Sequence, residues 1–87
     1  MKKDFPILDI EHISTDEELL KLMEEVEEFI KAIENKDKEN TIEEFYDIIQ
    51  VLVNLVNRYD CIDELEEGKK KHVEKLINRK WHIIKYI

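Results

Sequence analysis

One glycine, one proline and one cysteine are all that this chain of 87 residues holds of the residue types that break helices or cross-link them. The lone thiol, Cys61, excludes an intramolecular disulfide framework, and with no second cysteine there is neither a zinc ribbon nor a redox pair. Cysteine usage of this kind implies a reducing compartment. Long apolar runs are missing too. A membrane span needs roughly 18 consecutive apolar residues, whereas the most apolar stretch, Ile48 to Val56, is broken by Gln50 and Asn54 and reads as a core helix. The opening Met1-Lys2-Lys3-Asp4-Phe5-Pro6 has no apolar signal core and no small-residue cleavage site, which implies no export and a cytoplasmic setting. Positive charge is in deficit: 14 Lys and Arg face 22 Asp and Glu, a net charge of −8. That balance argues against stable nucleic-acid binding, which needs clustered cations to neutralise phosphates.

What is present is a small, acidic, helix-forming sequence, expected to be a single all-α domain over residues 1–87. A chain of this length buries only about 60–65 % of its unfolded surface, so self-association is the default expectation. The charge is unevenly placed. Residues 1–67 hold seven basic and 21 acidic side chains, a balance of −14, while residues 68–87 hold seven basic and one acidic, a balance of +6. Either the two parts are complementary helices of one bundle, or a metal-binding face stands opposite a phosphate-binding face.

Three main helices account for most of the chain. Ser14-Thr15-Asp16-Glu17-Glu18 offers two overlapping capping boxes, Ser14 with Glu17 and Thr15 with Glu18, ahead of an apolar period from Leu19 to Ile33. The first helix is expected over residues 15–35. Asn35 to Asn40 carries no apolar residue and reads as a solvated connection, after which Thr41 caps a second helix through Glu44, over residues 41–58. Tyr59 to Ile62 forms a short turn and Asp63 caps a third helix over residues 63–85, with Gly68 as a point of bending. Residues 1–14 form an N-terminal arm or short helix, and the apolar ending Trp81 to Ile87 docks on its own bundle or on another subunit.

Carboxylates three residues apart occur in seven pairs, so spacing alone selects nothing. Position relative to the apolar stripe selects two pairs, because a metal ligand in a helical bundle must point inward. Glu25 interrupts the row Leu22, Glu25, Phe29, Ala32, with Glu28 beside it; Glu44 heads the row Glu44, Ile48, Val51, Leu55, with Asp47 one row over. Several carboxylates bordering a core repel one another unless a cation neutralises them. All-oxygen donors favour Mg²⁺, with Mn²⁺ able to substitute. A di-iron bundle needs Glu with His three positions later, and the residues three before His12, His72 and His82 are Asp9, Lys69 and Arg79. The plain alternative is that Glu44 only completes the cap of Thr41.

Met23-Glu24-Glu25-Val26-Glu27-Glu28-Phe29 and Glu43-Glu44-Phe45-Tyr46-Asp47-Ile48 resemble the EExxE and ExxD motifs of the MazG-like, all-alpha nucleoside triphosphate pyrophosphohydrolases. The likeness runs over roughly residues 17–81. It implies Mg²⁺-dependent cleavage of a nucleoside triphosphate between the α and β phosphates, giving monophosphate and pyrophosphate, in a helical bundle completed as a homodimer or homotetramer. By position, Glu25, Glu28, Glu44 and Asp47 would ligate the metal, with Glu24 lining the same acidic site, and Lys75 and Arg79 would face the phosphates; the general base is left open among the Glu side chains, with Glu24 and Glu28 the obvious choices. The family often carries Asn two residues before that lysine, where this chain has Val73.

Read from their own chemistry, Lys75 and Arg79 lie four apart on one helical face with His72 three before, a spacing suited to distal phosphates. Asn54, on the side of Asp47, is a candidate nucleotide contact; Trp81 and Tyr46 are candidate stacking groups, although aromatics at core spacing are more often core. Two rivals remain at this stage. A phosphoribosyl-ATP pyrophosphohydrolase shares the motif arrangement, and a non-catalytic helical interaction module would use the acidic face for a basic protein partner.

Overall fold

A computed structural model describes residues 3–87. Among them the chain is all-helical, with α1 over Thr15–Glu34, α2 over Lys38–Arg58, a single 3-10 turn at Ile62–Glu64 and α3 over Leu65–Asn78. Residues 3–13 form an arm without helix, turned at Glu11 and His12 by an Ile13 N–H to Ile10 carbonyl bond of 2.9 Å.

α1 starts with one capping box. The Ser14 hydroxyl accepts from the Glu17 N–H at 3.1 Å, and the Glu17 carboxylate accepts from the Ser14 N–H at 3.3 Å. The overlapping Thr15–Glu18 box does not form, because Thr15 is already helical and its hydroxyl accepts from Arg58 at 3.1 Å. Glu18 is thereby released to face the other helix. α2 begins three residues earlier than the capping pattern of Thr41 suggests: Asp37 is the N-cap, accepting from the Asn40 N–H at 3.1 Å. Thr41 sits inside the helix and donates its hydroxyl to the Asp37 carbonyl at 2.7 Å, so Glu44 is not a capping residue.

All three helices end in the same way. Lys36, Asp60 and Lys80 adopt the left-handed conformation, with φ of 56°, 57° and 64°. Asp37, Cys61 and Trp81 each then donate back to the carbonyl five residues earlier, at Ala32, Val56 and Leu76, which satisfies otherwise orphaned carbonyls. The stop at Lys80 is why α3 ends at Asn78 and not near residue 85, while α3 passes Gly68 without a break and lacks a side-chain cap from Asp63. Left-handed backbone costs a non-glycine residue roughly 1–2 kcal/mol. Lys36→Gly, at the tight turn between α1 and α2, is therefore expected to stabilise the protein by about 1 kcal/mol, less the entropy that glycine gains on unfolding. The check is a thermal melt, in which the midpoint should rise by a few degrees.

α1 and α2 pack as an antiparallel hairpin, with Arg58 at the end of α2 reaching Thr15 at the start of α1. The seam follows a heptad-like spacing, Glu18, Leu22, Glu25, Phe29 and Ala32 on α1 against Glu44, Ile48, Val51, Leu55 and Arg58 on α2. Its interior is unusually polar. The buried apolar residues among those described are Ala32 and Val51, whereas Glu18, Glu25, Glu44 and Asn54 are all buried. Buried carboxylates cost stability unless paired, so the seam is built for something other than apolar adhesion.

Apolar residues gather instead on the outer faces. Leu19, Met23, Val26, Ile30 and Ile33 form a second stripe along α1, and Ile42, Phe45, Tyr46 and Leu52 lie exposed on α2. α3 joins the hairpin through the 3-10 turn, and no Cα of α3 lies within 8 Å of one in α1 or α2. The ending Trp81 to Ile87 is not helical; it runs back beside α3, with Tyr86 and Ile87 next to Lys69 and Val73. No helix among the described residues is long and apolar enough to cross a membrane.

Candidate metal centre and adjoining cavity

The polar seam brings carboxylates from both helices to one point. Each of Glu25, Glu28 and Glu44 offers an oxygen, and the three lie within 4.8 Å of one another. Glu25 and Glu44 are both 8 % exposed, while Glu28 stands at the solvent side. Helical spacing explains the set: Glu25 and Glu28 are three apart and share a face of α1, and Glu44 occupies the opposing seam position of α2. Oε2 of Glu25 and Oε2 of Glu44 are buried without a hydrogen-bond donor. Two orphaned carboxylate oxygens in one cluster of anions form an incomplete arrangement until a cation joins it.

Electrostatics records the same strain. Burial, with the hydrogen-bonding proximity of Glu25 and the charges of Glu28 and Glu25, pushes the Glu44 carboxyl up from 4.5 to about 7. Among the described residues the ion pair at the cluster is made by Lys21, whose ammonium meets the other oxygen of Glu25 at 3.3 Å. That contact, before all other causes, raises the Lys21 pKa and holds the Glu25 carboxylate in a fixed orientation.

Of the residues selected from sequence, Glu25, Glu28 and Glu44 converge. Asp47 is outside that close group but lines a cavity of about 310 Å³ that adjoins Glu25, and Asn54 lines it as well. Glu24 is exposed on the neighbouring face of α1. Within one chain Lys75, Arg79, His72 and Trp81 do not line this cavity, and α3 stands apart from the hairpin. Trp81 is 68 % exposed. Tyr46 stacks on Phe5 at 6.3 Å and meets Phe45 edge-on at 5.1 Å, which ties the arm to α2.

Two features escape a reading of motifs. Glu18 is the most buried acid, 2 % exposed, and lines the same cavity; its place in the seven-residue row Glu18, Glu25, Ala32 was the available signal. The arm closes one side of the cavity with Leu8, Ile10 and Ile13. It is held by the Leu8 N–H to Asn54 Oδ1 bond at 3.2 Å, by Gln50 donating to the Pro6 carbonyl at 2.9 Å, and by Arg58 donating to the carbonyls of Ile10 and Ile13, each at 2.6 Å.

The family model described as the MazG nucleotide pyrophosphohydrolase domain matches residues 14–84 of the chain. Nothing among curated proteins or solved structures matches it.

Proposed function

The chain belongs to the MazG nucleotide pyrophosphohydrolase family, and from that premise we propose that it is a Mg²⁺-dependent hydrolase of nucleoside triphosphates, cutting between the α and β phosphates to release pyrophosphate and a monophosphate. The observation that carries the reading is the pair of donorless buried oxygens, Oε2 of Glu25 and of Glu44, within a cluster that Glu28 completes. Carboxylate oxygens alone suit a hard divalent cation, so the residues fit Mg²⁺, and Mn²⁺ as its substitute. When bound, such an ion supplies positive charge to phosphate oxygens and lowers the pKa of a coordinated water.

Glu25, Glu28 and Glu44 would hold the ion, with Asp47, on the adjoining cavity, as the further carboxylate available to it. Lys21 keeps Glu25 in the ligating orientation through their 3.3 Å pair. Glu24 and Glu28 are the exposed carboxylates at the site, with room to accept the proton of the attacking water at a carboxylate oxygen. Attack of the water's oxygen on one of the two bridged phosphorus atoms breaks its bond to the bridging oxygen, which leaves with the other phosphate group, giving monophosphate and pyrophosphate. A cytoplasmic setting, where nucleoside triphosphates are available, suits this reading.

The working unit is a homodimer or homotetramer. Supporting this are the exposed apolar stripes of α1 and α2, which match the kind of face that helices bury against other helices. Supporting it also is the separation of α3, which carries Lys75 and Arg79 on the cationic segment, from the acidic hairpin of its own chain. In the assembly, α3 of a second copy brings Lys75 and Arg79 to the phosphates.

The experiment is a product assay across ribo- and deoxyribonucleoside triphosphates and phosphoribosyl-ATP with Mg²⁺, with EDTA as control. Monophosphate and pyrophosphate in equal amounts, lost on chelation, are expected. Release of single phosphates would defeat the proposed cleavage position, turnover of phosphoribosyl-ATP alone would transfer the reading to that activity, and no metal-dependent turnover at all would favour a binding module.

A further inference from the structure

Glu18 is a buried acid for which the hydrolysis itself has no use. It lies on the seam of α1, 2 % exposed, and among the described residues its carboxylate forms no ion pair and no hydrogen bond. It nevertheless lines the 310 Å³ cavity that has Glu25 and Asp47 at the metal side. Unlike Oε2 of Glu25 and of Glu44, its oxygens are not sealed from solvent, so the little of this side chain that stays accessible is carboxylate at the cavity, and an apolar residue would serve the seam better. A ligand that brings hydrogen-bond donors into the cavity gives that carboxylate the partner it lacks within the chain.

The cavity has the composition of a site for a flat, partly polar ring. Val51 and the arm residues Leu8, Ile10 and Ile13 give it apolar walls, and Gln50 and Asn54 add amides. The walls are fixed in place, because Asn54, Gln50 and Arg58 all bond to the backbone of the arm. Seven residues at a rise of 1.5 Å set Glu18 about 10.5 Å along the helix from Glu25. A substrate whose α phosphate lies at the carboxylate cluster carries its sugar next to that phosphate and its base further out. The base is therefore the part that extends toward Glu18.

Resting on the triphosphate reading above, we propose that this cavity receives the nucleobase and that Glu18 is a specificity-determining residue, accepting hydrogen bonds from an amino edge. A carboxylate pairs with the 4-amino group of cytosine, or with the adjacent N1–H and 2-amino donors of guanine. The 4-oxo group of uracil meets the same carboxylate as acceptor against acceptor, and hypoxanthine lacks the second donor of guanine. Leaving a buried carboxylate unpaired is a strong source of discrimination between otherwise isosteric ligands.

The test compares kcat/KM of the full chain with Mg²⁺ for cytidine against uridine triphosphate and for guanosine against inosine triphosphate, in the wild type and in Glu18→Gln. The wild type is expected to favour the amino-bearing member of each pair by roughly 10-fold or more. Glu18→Gln, whose amide can also donate, should draw both ratios toward one, mainly through KM, while kcat for the better substrates changes little. Equal kcat/KM within both pairs in the wild type would overturn the assignment of Glu18 while leaving the hydrolase reading intact. Unchanged ratios in a folded Glu18→Gln would do the same, and if that variant fails to fold the wild-type ratios decide alone. Absence of turnover for every triphosphate would overturn the hydrolase reading first, and this assignment with it.

Discussion

Glu44→Gln is expected to abolish turnover and, in the absence of metal, to make the protein more stable at neutral pH. The two effects have one origin. Glu44 is buried against Glu25 and Glu28, one of its oxygens has no donor, and its carboxyl is raised from 4.5 to about 7. A folded-state pKa above the unfolded value means that the native chain binds this proton more tightly than the unfolded one does. The associated stability is fully present below about pH 4.5 and is lost as the pH rises through about 7. The metal-free wild type should therefore melt at progressively lower temperature as the pH is raised across that window. The neutral amide of Gln removes the titration, so Glu44→Gln should show a flatter profile with a higher midpoint at pH 8. Adding Mg²⁺ should raise the wild-type midpoint at neutral pH and leave the variant nearly unmoved, since ligands stabilise only the state that binds them. For turnover, outer-shell partners of metal ligands already matter by 10–100-fold, so loss of a direct ligand is expected to exceed about 100-fold. Thermal melts at pH 5 and pH 8 with and without Mg²⁺, beside the product assay, check both halves. A melt that strengthens with pH in the wild type would show that the carboxylates are not in mutual repulsion.

The row-by-row placement of these carboxylates was legible because helical periodicity is a local property. Leu22, Glu25, Phe29 and Ala32, and Glu44, Ile48, Val51 and Leu55, are the rows that face each other across the hairpin, and the all-helical class follows from the same pattern. The competing details were decided by interactions that a local pattern does not rank. Two capping boxes overlapped at the start of α1, and Arg58, distant by 43 residues, took the Thr15 hydroxyl and left Glu18 to the seam. Asp37 outcompeted Thr41 because Lys36 adopted a left-handed turn without the glycine that normally signals one, and Lys80 ended α3 in the same unsignalled way. Arg58 itself looked like an ordinary basic residue at a helix C-terminus. Only the fold shows that it holds the arm over the cavity. The relation of α3 to the hairpin was not legible for a further reason: which surface a helix packs on is set by long-range partners, and the apolar faces here are left open within one chain.

That open arrangement makes a strong prediction about shared sites. If Lys75 and Arg79 act on phosphates held by the carboxylates of another copy, Asp47→Asn and Arg79→Ala should each be nearly inactive alone yet regain activity when mixed. In a two-fold dimer each site takes its acids from one chain and its cations from the other. A mixed dimer then contains one site bearing both substitutions and one bearing neither. Random exchange puts half of the chains into mixed dimers, and half of the sites in those are intact, so recovery should approach about one quarter of wild-type turnover. The acid balance of residues 1–67 and the basic balance of residues 68–87, −14 against +6, favour this cross-chain pairing over contact between like segments. Mixing after brief unfolding and refolding, so that copies exchange, followed by the pyrophosphate assay, measures it. Recovery near one quarter would assign the cationic side of the site to the second copy. No recovery from two folded variants that demonstrably exchange would instead require α3 to close on its own hairpin, which demands that the chain bend at the Tyr59–Glu64 turn and bury there the Val73 face that now lies beside Tyr86 and Ile87.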